Sequence, residues 1–389
     1  MKSFQLESSP KQLMAKAREA TGINIVDGDI EEALGRLVQS LNTEAALNEA
    51  GAAGMEYRVL NILRNRLRMF RDFANHPEIN DQQIVRPHVL TGAGRSGSTK
   101  LHKLLAASGD FKYLKFWEQY NPSLISGDRN ESPDARIQDT EAFLRWFDQH
   151  TPQAKIIHAY KAFEAEEETF LFDHSRFLIN FNITHTSLPG YTQWILTQDI
   201  TPQLEFLKRA IQYLQWQFHD GDARPWLLKS PLYGGMEPLL SQLFPDAVFV
   251  STHREPYSRI ASSAGLVACM QKAYSDADRS RYAGPFILEF MAQGANQFLA
   301  SRDAFPEVKI LDVAYSTLTN DSARVAEDIY RFANRPLAEK SRQAMQQWEQ
   351  QNHQHKLGVY KYALEDFFVT RDMVSERFKA YSERFGQYF

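Results

Sequence analysis

The sequence predicts an α/β fold in which a parallel sheet is flanked by helices, with a helical extension at the N-terminus. From residue 87 onward, short apolar runs typical of buried strands alternate with stretches of helical periodicity. Strands that alternate with helices indicate a parallel sheet covered on both faces. Residues 11–75, in contrast, show only helical spacing of their apolar side chains, and the polar segment 76–83 separates the two regions.

The predicted elements follow a regular order along the chain. The apolar runs interpreted as strands are Pro87–Thr91, Trp226–Lys229, Val248–Thr252 and Val308–Val313. Helical patterns follow most of them, at residues 101–107, 237–243, 257–271 and 322–333. We therefore expect a helical extension over residues 1–80 and one α/β domain over residues 81–389. Because ligands of parallel sheets bind at the carboxyl ends of the strands, residues that directly follow a strand are the candidates for a site.

Composition and charge argue against several classes of protein. The chain has 389 residues and, with 44 Lys and Arg against 48 Asp and Glu, a net charge of −4, so a general nucleic-acid binder is disfavoured. The N-terminus has no apolar signal region, and no window of 18 apolar residues predicts a membrane span. The single cysteine, Cys269, fits a reducing compartment. We expect a cytoplasmic protein, and the sequence leaves its oligomeric state open, a homo-oligomer included.

A glycine-rich turn between the first strand and its helix has the features of a phosphate-binding loop, or P-loop. Residues 91–99 read TGAGRSGST, with the glycine spacing of the G-x-x-x-x-G-K-[ST] motif but with Ser98 at the lysine position. Glycines let backbone N–H groups point at an anion, and the helix N-terminus adds partial positive charge. Arg95 and the hydroxyls of Ser96 and Thr99 are further donors. The missing lysine argues against an ordinary ATPase or GTPase.

A second candidate anion site follows the strand at 248–252. Arg254 stands at the end of that strand, Pro256 suits the first position of a helix, and Ser262 lies about two turns further along it. An arginine at a strand tip and a hydroxyl on the adjoining helix can bind one phosphate from two sides. The alternative is that Arg254 pairs with a neighbouring acidic side chain and binds no ligand.

Together, the loop and the arginine–serine pair resemble the two cofactor signatures of sulfotransferases that use 3′-phosphoadenosine 5′-phosphosulfate (PAPS). Further segments occur in the order typical of bacterial members of this family: FWEQYNP, EAEEETFLFDHSRF, WLLKSPLY, FPDAVFVSTHREP and YKYALEDF. The resemblance implies a P-loop nucleotide-binding α/β fold. It also implies transfer of a sulfuryl group from PAPS to a hydroxyl or amine of an acceptor, without a metal. A small molecule is favoured over a protein as the acceptor, and the sequence leaves open a small alcohol, a phenol, a carbohydrate, a lipid and a peptide tyrosine.

The resemblance assigns the cofactor site residue by residue. It implies that the 5′-phosphosulfate is held by Arg95, Ser96, Gly97, Ser98 and Thr99. It implies that the 3′-phosphate is held by Arg254 and Ser262. His355 and Lys356 lie in a region where relatives add a basic contact to the nucleotide.

Sulfuryl transfer needs a group that takes the acceptor's proton and groups that stabilise charge on the departing phosphate oxygen. Arg95, the loop amides and Lys229 are the candidates for the second task. Lys229 ends a predicted strand, and the resemblance also places this lysine at the reaction centre.

The general base is less well defined. His158 is the first candidate, since an ordinary histidine pKa lies near 6.5. Glu118, which matches a glutamate common in the family, is the second, and Glu167 or Glu168 are less favoured helpers. Many relatives have a histidine at the position of Tyr233, so one natural base is absent here.

Two aromatic-rich segments, 111–120 and 170–194, lie between the loop and Lys229. The sulfotransferase fold generally builds its acceptor pocket from this part of the chain. Aromatic walls would suit an apolar or phenolic acceptor, although such side chains are more often part of a core.

Two other functions are compatible with the same residues. Asp312 follows an apolar run and would serve as a magnesium ligand in a P-loop nucleotide kinase that uses Mg·ATP, although Ser98 argues against this. Tyr233 in place of a histidine is also compatible with a non-catalytic nucleotide-binding relative.

Overall fold

The runs predicted as strands form one parallel sheet in the computed structural model, which describes residues 3–25, 28–177, 180–353, 358 and 362–389. The strands are β1 (His88–Leu90), β2 (Lys112–Tyr113), β3 (Trp226–Lys229), β4 (Val248–His253) and β5 (Ile310–Ala314). Their order across the sheet is β2-β3-β1-β4-β5, and every neighbouring pair is parallel. The predicted fold class, a parallel sheet flanked by helices, is confirmed.

The central strand brings three candidate segments to one edge of the sheet. Leu90 of β1 lies opposite Lys229 of β3 on one side and Val250 of β4 on the other. The glycine-rich loop, Lys229 and Arg254 therefore follow neighbouring strands at the same carboxyl edge. All residues of β1, β3 and β4 are buried, which explains their continuous apolar character. The two-residue strand β2 is too short to give an apolar run, and the sequence pattern missed it.

Helices connect and cover the strands. The first six are α1 (Pro10–Thr21), α2 (Gly28–Thr43), α3 (Glu49–Asn75), α4 (Ser98–Ala107), α5 (Phe116–Tyr120) and α6 (Asp134–His150). The next six are α7 (Ala154–Ile157), α8 (Thr169–Arg176), α9 (Pro189–Leu196), α10 (Thr201–Phe218), α11 (Glu237–Leu243) and α12 (Pro256–Gln271). The last six are α13 (Ser280–Ala304), α14 (Tyr315–Asn320), α15 (Ser322–Phe332), α16 (Glu339–Gln351), α17 (Arg371–Arg377) and α18 (Lys379–Phe385). Within the described ranges, none of these helices combines the length and apolar character that crossing a bilayer requires.

The described residues also contain short 3₁₀ and π-helical turns. The 3₁₀ turns are Pro77–Ile79, Glu365–Phe367 and Gly386–Tyr388. A π-helical turn spans Asn180–Thr184. The predicted helices at 101–107, 237–243, 257–271 and 322–333 correspond to α4, α11, α12 and α15. His355 and Lys356 lie outside the described residues.

The N-terminal helices pack against the α/β region. Helix α1 starts with a capping box in which Ser9 and Gln12 bond reciprocally, and it ends at Gly22 in the left-handed conformation. Buried side chains of α2 and α3 share one apolar core with Phe116 and Tyr191 of the later chain. The close approach at Gly51 illustrates the fit, because a Cβ there would lie 2.1 Å from the carbonyl oxygen of Tyr274.

The aromatic-rich segments are core. Phe116, Tyr120, Phe170 and Tyr191 are all buried, and Phe116 and Phe170 meet with ring centroids 4.7 Å apart. No described aromatic side chain of residues 111–120 or 170–194 lines either of the cavities described below. The described rings therefore follow the core interpretation of these segments and not the acceptor-pocket alternative. Hydrophobic content alone does not distinguish a core from a cavity wall.

Candidate active site

The glycine-rich loop leads directly into the N-terminus of α4. Gly97 is the N-cap, with φ of +91°, and Arg95 also has a positive φ of +64°. The first N–H groups of a helix have no partner within it, so those at the start of α4 are available to an anion. A Cβ on Gly97 would lie 2.9 Å from the ring of Tyr315, so both backbone conformation and space require glycine.

Gly92 fixes the loop to the neighbouring strand, and replacing it tests that packing. A Cβ at this position would lie 2.0 Å from Oγ1 and 2.7 Å from the backbone nitrogen of Thr252. We expect Gly92→Ala to lower the free energy of unfolding by about 1–3 kcal/mol in urea denaturation. Gly35→Ala in α2 is the matched control, since a Cβ there meets nothing within 4 Å. If the two variants have the same midpoint of urea denaturation, the close packing of Gly92 against Thr252 is contradicted.

A cavity of about 790 Å³ lies in front of the loop and is strongly cationic. The described residues of its lining include two carboxylates, Glu164 and Glu349, and six cations: Arg95, Lys100, Lys103, Lys155, Lys161 and Arg254. Lys103 pairs with Glu164 at 2.8 Å and Lys100 with Glu349 at 2.6 Å, so the excess of positive charge remains. The chain is acidic overall, yet this cavity suits an anionic ligand.

The two predicted anion sites form one continuous surface in this cavity. The Arg95 side chain donates from Nε to Oγ of Ser262 at 2.9 Å. Arg254 donates to the carbonyl oxygen of Arg95 at 3.2 Å, and its guanidinium lies 4.2 Å from the ring centre of Tyr315. Burial lowers the pKa of Arg95, and the charge of Arg254 adds to that effect.

Ser96 differs from its neighbours in the loop. Its hydroxyl lies 2.6 Å from Oγ1 of Thr252, and the side chain is buried and lines neither cavity. Gly97, Ser98 and Thr99, in contrast, line the cationic cavity. The Ser96 side chain therefore holds the loop against β4 and does not face the cavity.

A second cavity, of about 260 Å³, meets the first at Arg95, Thr99 and His158, which line both. Lys229 and Glu167 lie on its wall near this junction. Helices α12 and α13 contribute the largest share of the remaining wall, mainly with apolar side chains. The arrangement places a cationic chamber and an apolar chamber on either side of one small group of reactive side chains.

His158 is held by a carboxylate at the junction. Its Nε2 lies 3.2 Å from both carboxylate oxygens of Glu166. Burial lowers the pKa of His158, and the charge of Glu166 opposes that effect. Burial alone would raise the pKa of Glu166, but His158 and nearby lysines hold it below its usual range. Nδ1 of His158 has no hydrogen-bond partner among the described residues, which leaves this nitrogen for a ligand.

Lys229 points its ammonium group at the same junction. The Nζ atom forms an ion pair with Glu167 and lies 3.5 Å from Oγ1 of Thr99 at the start of α4. Burial lowers the pKa of Lys229 to about 8; Glu166 opposes this effect, and the charges of Arg95 and Lys103 contribute to it. The lysine is thus cationic near neutral pH and loses its proton more easily than an exposed lysine.

The third consecutive glutamate, Glu168, fixes the backbone beneath Lys229. Its two carboxylate oxygens accept the backbone N–H of Lys229 at 2.9 and 3.0 Å, and one of them accepts the Tyr233 hydroxyl at 3.1 Å. Burial raises the pKa of Glu168 to about 8. Tyr233 is fully buried and lines neither cavity, so it supports the end of the strand and does not take the place of a base.

Glu118 is the predicted site residue that the structure places elsewhere. Its carboxylate accepts the backbone N–H of Lys115 and the Lys115 ammonium group, both at 2.9 Å, at the start of α5. Burial raises its pKa, and the side chain lines neither cavity. Local capping of a short helix accounts for this glutamate.

The structure brings most of the other predicted side chains to the two cavities, whereas those of Ser96 and Glu168 line neither. The sequence analysis missed two further groups. Glu166 was not singled out, although three consecutive glutamates after a histidine were visible in the sequence. The second missed group is the set of four lysines that line the cationic cavity, since none of them belongs to a recognisable motif: Lys100, Lys103, Lys155 and Lys161.

Asp312 does not face the candidate site. Its carboxylate pairs with Arg302 at 2.6 Å and with Nε2 of His253 at 2.8 Å, and it lines neither cavity. The nucleotide-kinase alternative therefore loses the residue that was to hold magnesium.

The parallel sheet, with a glycine-rich loop and a cationic cavity at its carboxyl edge, defines an α/β fold whose sheet is flanked by helices. The chain belongs to the sulfotransferase family, whose model matches residues 87–339, well over half of its length.

Two solved structures are similar over nearly the whole chain. The sulfotransferase STF9 from Mycobacterium avium aligns with a TM-score of 0.83 and 22% identity, covering 99% of this chain and 98% of its own. The sulfotransferase STF1 from Mycobacterium tuberculosis H37Rv aligns with a TM-score of 0.78 and 26% identity, covering 96% and 99%. A search of the curated proteins gave no match.

Proposed function

We propose that the protein transfers the sulfuryl group of PAPS to a hydroxyl or amine of a small-molecule acceptor. The observation that carries this proposal is the junction of the two cavities. A cationic chamber suited to a nucleotide meets an apolar chamber suited to an acceptor at Arg95, Thr99 and His158. Family membership supports sulfuryl transfer as the reaction.

The residues of the cationic cavity fit the charge distribution of this donor. Arg95, Gly97, Ser98 and Thr99 would hold the 5′ side, because the start of α4 offers unpaired N–H groups. Arg254 and Ser262 would hold the 3′-phosphate, and the cavity lysines would balance the remaining charge. When bound, PAPS supplies a sulfuryl group activated by its 5′-phosphate.

His158 is our first candidate for the general base. Because Nε2 lies against Glu166, this nitrogen carries the proton, and Nδ1 remains as the basic atom. A lowered pKa keeps the ring neutral and able to accept a proton near pH 7. Glu167 is the second candidate, since it lines the acceptor cavity, whereas Glu118 has no place in the proposed mechanism.

Lys229 would stabilise negative charge that develops on the departing phosphate oxygen. A buried ammonium group interacts more strongly with such charge than an exposed one, because water does not screen it. Glu167 orients the ammonium group, and Glu168 fixes the backbone that carries it. The N–H groups at the start of α4 would act on the same charge.

Ligand-induced thermal stabilisation tests the nucleotide assignment. We expect 3′,5′-adenosine bisphosphate to raise the melting temperature without metal, and 5′-AMP, which lacks the 3′-phosphate, to raise it less. Stabilisation by Mg·ATP alone would contradict the proposal and restore the kinase alternative. Binding of the bisphosphate without sulfuryl transfer from labelled PAPS, to water or to any acceptor, would instead indicate the non-catalytic alternative.

Arg254→Ala tests the assignment of the 3′-phosphate. We expect the variant to bind 3′,5′-adenosine bisphosphate about 10- to 100-fold more weakly, because a charge-assisted contact is lost. Binding of 5′-AMP should change much less, and calorimetric titration measures both. An equal loss for the two nucleotides would mean that Arg254 acts through its bond to the Arg95 carbonyl oxygen and not on the 3′-phosphate.

A further inference from the structure

The second cavity has a long apolar wall made by two helices. Helix α12 contributes Leu266, Val267 and Met270, and helix α13 contributes Ile287, Met291 and Phe298. Spacings of three, four and seven residues place these side chains on one face of each helix. The wall is therefore apolar and combines aliphatic, methionine and phenylalanine side chains.

Both helices run outward from the edge of the sheet. Nε of Arg259, on α12, donates to the carbonyl oxygen of Gly94 at 3.4 Å, which places that end of α12 at the loop. The ring of Phe298, on α13, lies 6.1 Å from that of His253 at the end of β4. From Arg259 to Met270, α12 extends about 16 Å at 1.5 Å per residue. The apolar wall is thus elongated and leads away from the reaction centre.

Charged side chains lie only at the loop end of the described lining. They are Arg95, His158, Glu167, Lys229 and Arg259. The distribution fits a ligand with one polar terminus and an extended apolar body.

Several polar side chains further out are already bonded or lie at the rim, and Ser263 on α12 adds one small buried hydroxyl. Asn180 donates to Asp173 at 2.7 Å and accepts the Thr184 hydroxyl at 3.0 Å. Gln293 donates to Glu289 at 3.1 Å, at an exposed position. Leu196, which is 55% exposed, lies on the lining at the surface. A sugar would require many free donors and acceptors along this wall, whereas an alkyl chain requires none.

We infer that the acceptor is an alcohol whose hydroxyl terminates an elongated aliphatic body, and that the wall of α12 and α13 holds that body. The inference rests on the proposed function. The hydroxyl lies at His158 and Lys229, loses its proton to the histidine and forms the new oxygen–sulfur bond. The bond between sulfur and the phosphate oxygen breaks, and 3′,5′-adenosine bisphosphate leaves with the electron pair.

A series of straight-chain primary alcohols from hexanol to decanol, with labelled PAPS, tests this inference. We expect kcat/KM to rise about threefold for each added methylene until the chain fills the cavity. Phenol and glucose should be poorer acceptors than decanol. A rate that does not depend on chain length, or a faster rate with phenol or glucose, would overturn the inference.

Failure of the proposed function has a different signature. Bisphosphate binding and slow transfer from PAPS to water report on the donor site without any acceptor. If both are present and the alcohols are not sulfated, the acceptor class is wrong and the proposed function stands. If both are absent, the proposed function itself fails, and the inference fails with it.

Gly294→Leu narrows the cavity without a penalty in the fold. Gly294 lies on the lining within α13, and a Cβ there meets nothing within 4 Å. We expect kcat/KM for decanol to fall about tenfold, with an unchanged KM for PAPS and an undiminished melting temperature. Gly35→Leu, at an equally open position in α2, is the matched control. Unchanged decanol turnover in Gly294→Leu would overturn the assignment of this wall.

Discussion

Replacing Lys229 by methionine should lower kcat by about 10²–10³-fold, because a buried positive charge next to the departing oxygen is lost. The affinity for 3′,5′-adenosine bisphosphate should change by less than about tenfold, since the nucleotide contacts of Arg95, Arg254 and Ser262 remain. Pre-steady-state kinetics and calorimetric titration measure the two effects separately. A loss of binding as large as the loss of kcat would contradict the proposed role in the reaction step.

The pKa of Lys229 gives this prediction a second readout. In the free enzyme the lysine loses its charge as pH rises through about 8, so kcat/KM for PAPS should fall above that value. Lys229→Arg should remove this falling limb, because a guanidinium group keeps its charge, although activity stays below that of the natural enzyme. A falling limb that persists in Lys229→Arg would assign the titration to another group.

Replacing His158 by asparagine should lower kcat by about 10²–10⁴-fold, because no base then takes the proton of the acceptor. The pKa of His158 lies below its ordinary value of 6.5, so the natural enzyme should lose kcat/KM only as pH falls below about 6.5. In the pH profile of His158→Asn, this decrease of kcat/KM at low pH (the rising limb of the profile) should be absent, because the residual rate no longer depends on protonation of the histidine. Unchanged turnover would remove His158 from the mechanism and leave Glu167 as the base.

Glu166→Gln provides the matched control for the histidine. The amide still accepts the proton of Nε2 through its oxygen but carries no charge, so the ring keeps its orientation and its pKa falls further. We expect a smaller loss of kcat than in His158→Asn and a rising limb displaced to lower pH. A displacement to higher pH would contradict the pairing of the two side chains.

The sheet and the phosphate loop could be predicted because their signals are local. Four apolar runs and the glycine spacing of residues 91–99 depend on nearby residues alone. Strand β2 could not be predicted, because a strand of two residues is too short to show a hydrophobic pattern. The bond between Arg95 and Ser262 joins residues 167 positions apart, so only the folded chain brings them together.

The candidate active site was less predictable because it depends on the direction of individual side chains. Glu118 and Glu167 look alike in the sequence, yet one caps a short helix and the other pairs with Lys229. The sequence could not decide between core and acceptor pocket for the aromatic segments for a related reason. Apolar content predicts burial, but whether a buried side chain meets another side chain or a cavity depends on packing across the whole fold.

Helix α12 lies against both cavities at once. Ser262 faces the cationic cavity, while the adjacent Ser263 and the following Leu266 and Val267 face the apolar cavity. A shift of α12 on nucleotide binding would therefore move part of the acceptor wall by the same displacement. The two affinities would then be thermodynamically linked, and by reciprocity a bound acceptor would change the affinity for the nucleotide by the same factor. One rigid helix would thus suffice to make the binding of the two substrates cooperative.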